Sequence, residues 1–337
     1  MKGKVNVAVI GAGGIANSVH LPSLTQIEDA NLIAICDLHK EKAQLAARKY
    51  GIPSVYTSMY EMFEKEQLDG VFVLVEPDRL FRAANDCLDA GLNVMMEKPA
   101  GITSYQANSL VRKSQKTGKL CAVAMNRRQI PLVQFIFNRM RELTPITQVD
   151  GVFIKNSEIA STWNYASAFV CDIVHATDLV RYFAQSEPVK AATVASRHNS
   201  PVDNAWSSVI QFENGITGTL RANYQGGGRI HNFEIHGPQA SAYINLGFGG
   251  SECDARILHF GGESIYSLAA AGVSGQTIEY FDGKELAGSQ DYHAYYGYKQ
   301  EDIDFIKALK TGEKPMCTIE DAAKSMEMAE FLLANTI

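Results

Sequence analysis

The chain has 337 residues, enough for two ordinary domains, and its 46% hydrophobic and 20% charged residues suit a globular protein that buries a core without disulfide or metal support. Its 37 acidic and 31 basic residues leave a net charge of −6, which argues against a non-specific nucleic-acid binder, because such a protein needs a basic face. The 6 cysteines contain no C-x-x-C pair, which argues against a disulfide framework and against a Cys-rich zinc site.

At the N-terminus, Lys2 and Lys4 precede an apolar run that meets Gly11 too soon for a secretory signal. No stretch reaches the roughly 20 apolar residues of a membrane span, so a cytoplasmic protein with no membrane partner is expected. Val5–Ile10, Leu32–Cys36, Val71–Val75, Val94–Met96 and Leu120–Ala124 are nearly continuous apolar runs, the pattern of strands covered on both faces. Helical patterns lie between them at Lys40–Tyr50, Met59–Lys65, Arg79–Ala90 and Ser104–Thr117. Gly51, Gly91 and Gly118 follow three of these as C-terminal caps. Strand and helix in alternation imply a doubly wound parallel sheet over residues 1–125.

The pattern changes after Met125. A helix at Pro131–Arg141, a strand at Val149–Ile154 and a helix at about Ala168–Phe183 precede an antiparallel region from Val189 to Asn245. Within that region, Asn214-Gly215 between two alternating runs predicts a hairpin, and Gly226-Gly227-Gly228 reads as a loop. Helix returns where Ile303, Ile306 and Leu309 share a face, and Thr318-x-x-Asp321 opens the last helix with a capping-box pattern. Residues 126–337 therefore read as a second, larger α+β portion.

Gly11-Ala12-Gly13-Gly14-Ile15-Ala16 fits G-x-G-x-x-[GA] between a strand and a helix, the context that makes it a dinucleotide fingerprint. Gly11 permits the turn, Gly13 lets the backbone approach a pyrophosphate, and Ala16 allows close helix–strand packing. Amides of the following helix, around Gly14 and Ile15, would face the phosphates. Asp37, at the end of the second strand, would bind the ribose hydroxyls and repel a 2′-phosphate, favouring NAD; nearby His39 and Lys40 keep NADP open.

Glu97-Lys98-Pro99 follows a strand at the edge where open α/β sheets bind ligands. With the fingerprint, Asp37, the Pro77 turn, Ala90–Val94, Asn126-Arg127-Arg128 and Glu301–Phe305, it resembles the Gfo/Idh/MocA family of NAD(P)-dependent sugar and polyol oxidoreductases over essentially the whole chain. The resemblance implies a Rossmann domain, then an α+β domain on a large, open, mostly antiparallel sheet that mediates homodimers or tetramers. It also implies a small-molecule sugar or polyol substrate.

In the family, the lysine of Glu-Lys-Pro sits beside nicotinamide and substrate, and a histidine and an aspartate from the second domain complete the site. Here those would be Lys98, His175 and Asp172, with Pro77, Glu97 and Asn126 beside the cofactor and Arg127 and Trp163 toward substrate. Asp172 and His175, three apart, would share a helix face. His175 suits a general base, and Lys98 would stabilise the alkoxide that forms as hydride leaves. Three departures mark the chain: Cys171 stands where the family more often has its aspartate, Glu76-Pro77 with Phe81 replaces Thr-Pro-x-x-x-His, and Ala166–Phe169 replaces a glycine cluster. Three functions remain open: dehydrogenation of a ring alcohol, redox-neutral glycoside cleavage or epimerisation by transient oxidation, and non-catalytic NAD(P) sensing.

Overall fold

Apolar runs that leave no polar face need cover on both sides, and the first five become strands of one parallel sheet. In the computed structural model these are β1 (Val5–Ile10), β2 (Ala30–Cys36), β4 (Gly70–Val73), β5 (Asn93–Met96) and β6 (Cys121–Val123). A further edge strand, β3 (Ser54–Tyr56), carries only three half-buried residues, too few for a pattern to announce it. The order is β3-β2-β1-β4-β5-β6, so the winding direction reverses between β1 and β4. The structure describes residues 3–158, 166–247, 252–260 and 277–337.

The chain divides into two compact units. The first comprises Met1–Gln129, Val170–Asp172 and Asp291–Glu327. Its core joins Val7, Val9, Ile35, Phe72 and Met95 with Phe305 and Ile306 from the helix Tyr298–Thr311. That helix lies so close to β4 that a Cβ on Gly70 would meet Leu309 Cδ1 at 2.9 Å. It buries Phe305 completely, whereas Ile303, expected on the buried face, is 42% exposed. Gly51 and Gly118 do cap their helices in the left-handed region, with φ of 69° and 65°. Asp321 does not simply close a capping box, since its carboxylate pairs with the Arg128 guanidinium.

The second unit comprises Ile130–Phe169, Ile173–Gln290 and Met328–Ile337. It is built on β7 (Gln148–Asn156), β8 (Pro188–Ser196), β9 (Ala205–Phe212), β10 (Thr217–Asn223), β11 (Gln225–His236), β12 (Ala240–Leu246), β13 (Cys253–His259) and β14 (Thr277–Asp282). The order is β14-β13-β12-β11-β7-β10-β9-β8, antiparallel throughout except for the pair β10–β7. Alternation along β9 buries Trp206, Ser208, Ile210 and Phe212, as their spacing predicts.

Three local expectations change. In the β9–β10 hairpin only Gly215 takes positive φ, at 87°; Asn214 instead uses its side chain, accepting from Ile216 N and donating to the Ala184 carbonyl. Gly226–Gly228 is no loop but an irregularity inside β11, where pairing jumps from Gln225↔Asn156 to Arg229↔Lys155. The long helix expected over Ala168–Phe183 is two, Ala168–Cys171 and Val174–Ala184, with Asp172 and Ile173 in the turn between them. Among the described residues, no helix is long and apolar enough to cross a membrane.

Candidate active site

Because β1, β4 and β5 are parallel neighbours, the segments that follow them emerge at one edge of the first unit's sheet. Those segments are the fingerprint, Pro77 and Glu97-Lys98-Pro99. Gly11 has φ of 103°, and a Cβ there would lie 2.3 Å from the Leu74 carbonyl oxygen, so only glycine fits. At Gly13 and Gly14 a Cβ would meet nothing within 4 Å among the described residues, which leaves their backbone open to a ligand. Ile15 packs at the margin of the core, and Ala16 is fully buried in it. The helix that follows is wound as a π-helix over Ala16–His20, with Asn17 Nδ2 donating to the carbonyls of Ala12 and Gly13.

Asp37 reaches this loop directly. One carboxylate oxygen accepts from Ala12 N and the other from His39 N, both at 2.7 Å. Pro77 takes the first position of the helix Pro77–Asp89, where its missing N–H costs nothing. Asn126 is buried in a short turn after β6; its Nδ2 donates to the Tyr296 carbonyl, and its Oδ1 has no partner among the described residues. Arg127, next along the chain, is buried too. Tyr292, Tyr296 and Tyr298 form a ring cluster, with Tyr292 and Tyr296 stacked at 4.9 Å.

Lys98 is half-buried, and its Nζ donates to the Cys171 carbonyl at 3.0 Å. An ammonium carries three donors, so this bond fixes its direction and leaves two. The Cys171 thiol nearby is buried, which pushes it up to about 11 against the opposing charge of Lys98. Glu97 is buried behind Lys98; its Oε2 accepts from Lys98 N at 3.0 Å, and its Oε1 lies 3.3 Å from His20 Nε2. Burial alone would raise the Glu97 carboxyl, but its bond to His20, aided by the charges of His20 and Lys98, holds it below the ordinary range.

His20 and Asp302, bonded at 2.8 Å, are functional candidates that sequence reading missed. Nothing in their local sequence marks them, since they lie 282 positions apart. Asp172 and His175 are both buried, at 8% and 7% exposure. Asp172 sits in the turn and His175 in the first turn of Val174–Ala184, so the shared-face argument from a continuous helix does not hold. Trp163 lies outside the described residues.

Residues 5–125 match a family model described as an oxidoreductase family with an NAD-binding Rossmann fold, and residues 142–243 match the GFO/IDH/MocA C-terminal domain. The chain belongs to the Gfo/Idh/MocA family. It is accordingly an NAD(P)-dependent oxidoreductase of dehydrogenase type. It is 35% identical over 125 residues to D-glucoside 3-dehydrogenase of Escherichia coli K12, an alignment covering 37% of this chain and 35% of that protein. To scyllo-inositol 2-dehydrogenase (NAD(+)) of Bacillus subtilis 168 it is 23% identical over 351 aligned positions, covering 97% of this chain and 93% of the relative. A crystallised dehydrogenase from Chromobacterium violaceum superposes with a TM-score of 0.86 at 18% identity, over 99% of this chain and 96% of that one.

The open backbone at Gly13 and Gly14, with the Asp37 carboxylate tethered to the same loop, fits a dinucleotide: amides for phosphate and an acceptor for ribose hydroxyls.

Proposed function

We propose that the chain oxidises a ring secondary alcohol of a sugar, glycoside or inositol. The observation that carries this reading is the Lys98 ammonium, fixed by the Cys171 carbonyl at the same sheet edge as the dinucleotide loop. Gly11, Gly13, Gly14, Ile15 and Ala16 would hold the cofactor's phosphates and Asp37 its ribose; Pro77, Glu97 and Asn126 would line the place beside it. Asp37 carries a negative charge where a 2′-phosphate would lie, which favours NAD over NADP. When bound, NAD supplies the hydride acceptor.

The chain's own residues do the remaining work. The two free donors of Lys98 orient the substrate hydroxyl and stabilise the negative oxygen that develops there. His175 takes the hydroxyl proton, a role worth about 10²–10⁴-fold in rate. Asp172 orients His175 or binds a neighbouring hydroxyl, and Arg127 and Trp163 contact the rest of the ring. The named activities of the glucoside and inositol relatives support this substrate class. Self-association as a dimer or tetramer belongs to the same reading, supported by the exposed apolar residues Val194, Val209 and Tyr280 on the large sheet.

The test is NADH formation across methyl glucosides, free hexoses, myo-inositol and scyllo-inositol. Wild-type protein should reduce NAD with at least one of them. Lys98→Met should lower kcat by about 10²-fold or more, as loss of an oxyanion donor does, while NAD still raises the melting temperature. Normal turnover by Lys98→Met would remove the mechanism. Substrate cleavage without NADH would point to the redox-neutral chemistry instead.

A further inference from the structure

His20 has no solvent exposure and stands between two carboxylates. Its Nδ1 is 2.8 Å from Asp302 Oδ1 and its Nε2 is 3.3 Å from Glu97 Oε1. An ionised carboxylate only accepts hydrogen bonds, so between two ionised carboxylates the imidazole donates from both nitrogens; burial raises the Asp302 carboxyl, and the charge and bond of His20 oppose that rise. Glu97 in turn accepts the Lys98 backbone N–H with its other oxygen, while its own backbone N donates to the Val73 carbonyl. The chain of contacts runs from the helix Tyr298–Thr311 through Asp302, His20 and Glu97 to the backbone of Lys98.

We propose that His20 is a positioning residue for Lys98, locking the Glu97-Lys98 turn to the helix that carries Asp302 so that the Lys98 ammonium is held ready for the substrate oxygen. This rests on the reading of Lys98 as the cation that meets that oxygen. A structural histidine would serve only the fold. This one is bonded, through a single carboxylate, to the residue that carries the proposed chemistry.

The groups facing His20 are Glu97 from the end of β5 and Asp302 and Glu301 from Tyr298–Thr311, with the Tyr298 ring edge-on at 6.0 Å. Burial works against a charged His20, but the charge and bond of Asp302, then those of Glu97, outweigh it and hold the imidazole well above its ordinary 6.5. Burial also pushes Glu301 well above the usual carboxyl range, and among the described residues neither of its side-chain oxygens has a partner. Ligand atoms of His20, Glu301 and Asp302 lie within 4.8 Å of one another, a spacing that would also suit a cation. An imidazole donating from both nitrogens keeps no lone pair for a metal, which favours the positioning role.

The experiment compares wild-type protein with His20→Gln and the nearly isosteric Asp302→Asn, using the panel alcohol that wild-type oxidises fastest. Both variants should lose about tenfold or more in kcat, as small displacements of a reacting group do, with NAD affinity changed by less than about threefold. In wild-type protein labelled with ¹⁵N-histidine, both His20 nitrogens should remain protonated at about pH 8, above the ordinary histidine range. Dimethylation of lysines with a ¹³C label should show the Lys98 signal shifted in His20→Gln. Unchanged kcat in both variants, a matching loss of NAD affinity, an unprotonated His20 nitrogen at that pH, or a stoichiometric metal in the purified protein would each overturn the proposal. If His20→Gln does not fold, Asp302→Asn carries both the kinetics and the Lys98 spectrum. If wild-type protein oxidises no alcohol in the panel, the dehydrogenase reading fails separately, and the two spectra still decide whether His20 holds Lys98.

Discussion

Gly11 shows how one residue can decide whether a cofactor loop forms. Its φ of 103° and the 2.3 Å approach of the Leu74 carbonyl mean that Gly11→Ala must displace the end of β4 as well as strain its own backbone. Together these should cost about 2–4 kcal/mol, judged from the usual costs of backbone strain and overpacking. Urea unfolding would measure that loss, and the rise in melting temperature on adding NAD should disappear. Gly14→Ala is the control, because a Cβ there meets no neighbour; it should fold normally and lose only NAD affinity. The two glycines separate a fold requirement from a ligand requirement within one motif. The motif was legible in the sequence because a tight turn, an open backbone and a small helix residue are local demands. The role of His20 was not legible, because its partners lie 77 and 282 residues away and only folding joins them.

The element that matters most for His175 is the helix Val174–Ala184, and its seat is a glycine on a neighbouring strand. A Cβ on Gly151 of β7 would lie 2.8 Å from Val180 Cγ2, 3.2 Å from Phe233 Cε1 and 3.3 Å from Leu220 Cδ1. The helix thus rests on bare backbone. Gly151→Val should lift it, costing about 1–3 kcal/mol by overpacking. If His175 is the base, kcat should fall with it, while the NAD-dependent rise in melting temperature, a property of the first unit, stays unchanged. Equal kcat in a destabilised Gly151→Val protein would separate His175 from the chemistry. Periodicity found this helix but not its true start. No glycine or proline marks the break at Asp172, where Ile173 N reaches back to the Ala168 carbonyl and the Ile173 carbonyl accepts from both Ala176 and Thr177. A hydrophobic pattern that continues through such a turn looks like one helix, so the relation of Asp172 to His175 could not be read from their spacing.

At the scale of the whole chain, strand–helix alternation revealed the parallel sheet and strict alternation revealed the β9–β10 hairpin of the antiparallel one, because each pattern reports burial along its own segment; β13 and β14 lie beyond the region it marked. What alternation cannot report is which distant segment completes a core. Asp291–Glu327 belongs to the first unit, where Phe305 is fully buried and Ile306 is 1% exposed. Truncating a buried Phe or Ile alone costs roughly 2–5 kcal/mol, against a total stability of about 5–15 kcal/mol for a domain. A fragment ending at Gln129 keeps the fingerprint, Asp37 and Glu97-Lys98-Pro99 but loses both of those side chains and the Asp302 partner of His20. That fragment should melt without a cooperative transition by circular dichroism, and NAD should not raise its midpoint. Joining residues 291–327 to it through a flexible linker should restore the transition and its NAD dependence, since the missing core and the His20 bridge return together. Cooperative, NAD-dependent melting of the short fragment would show that the sheet and its own helices suffice, and that the returning helix serves Lys98 without holding up the unit.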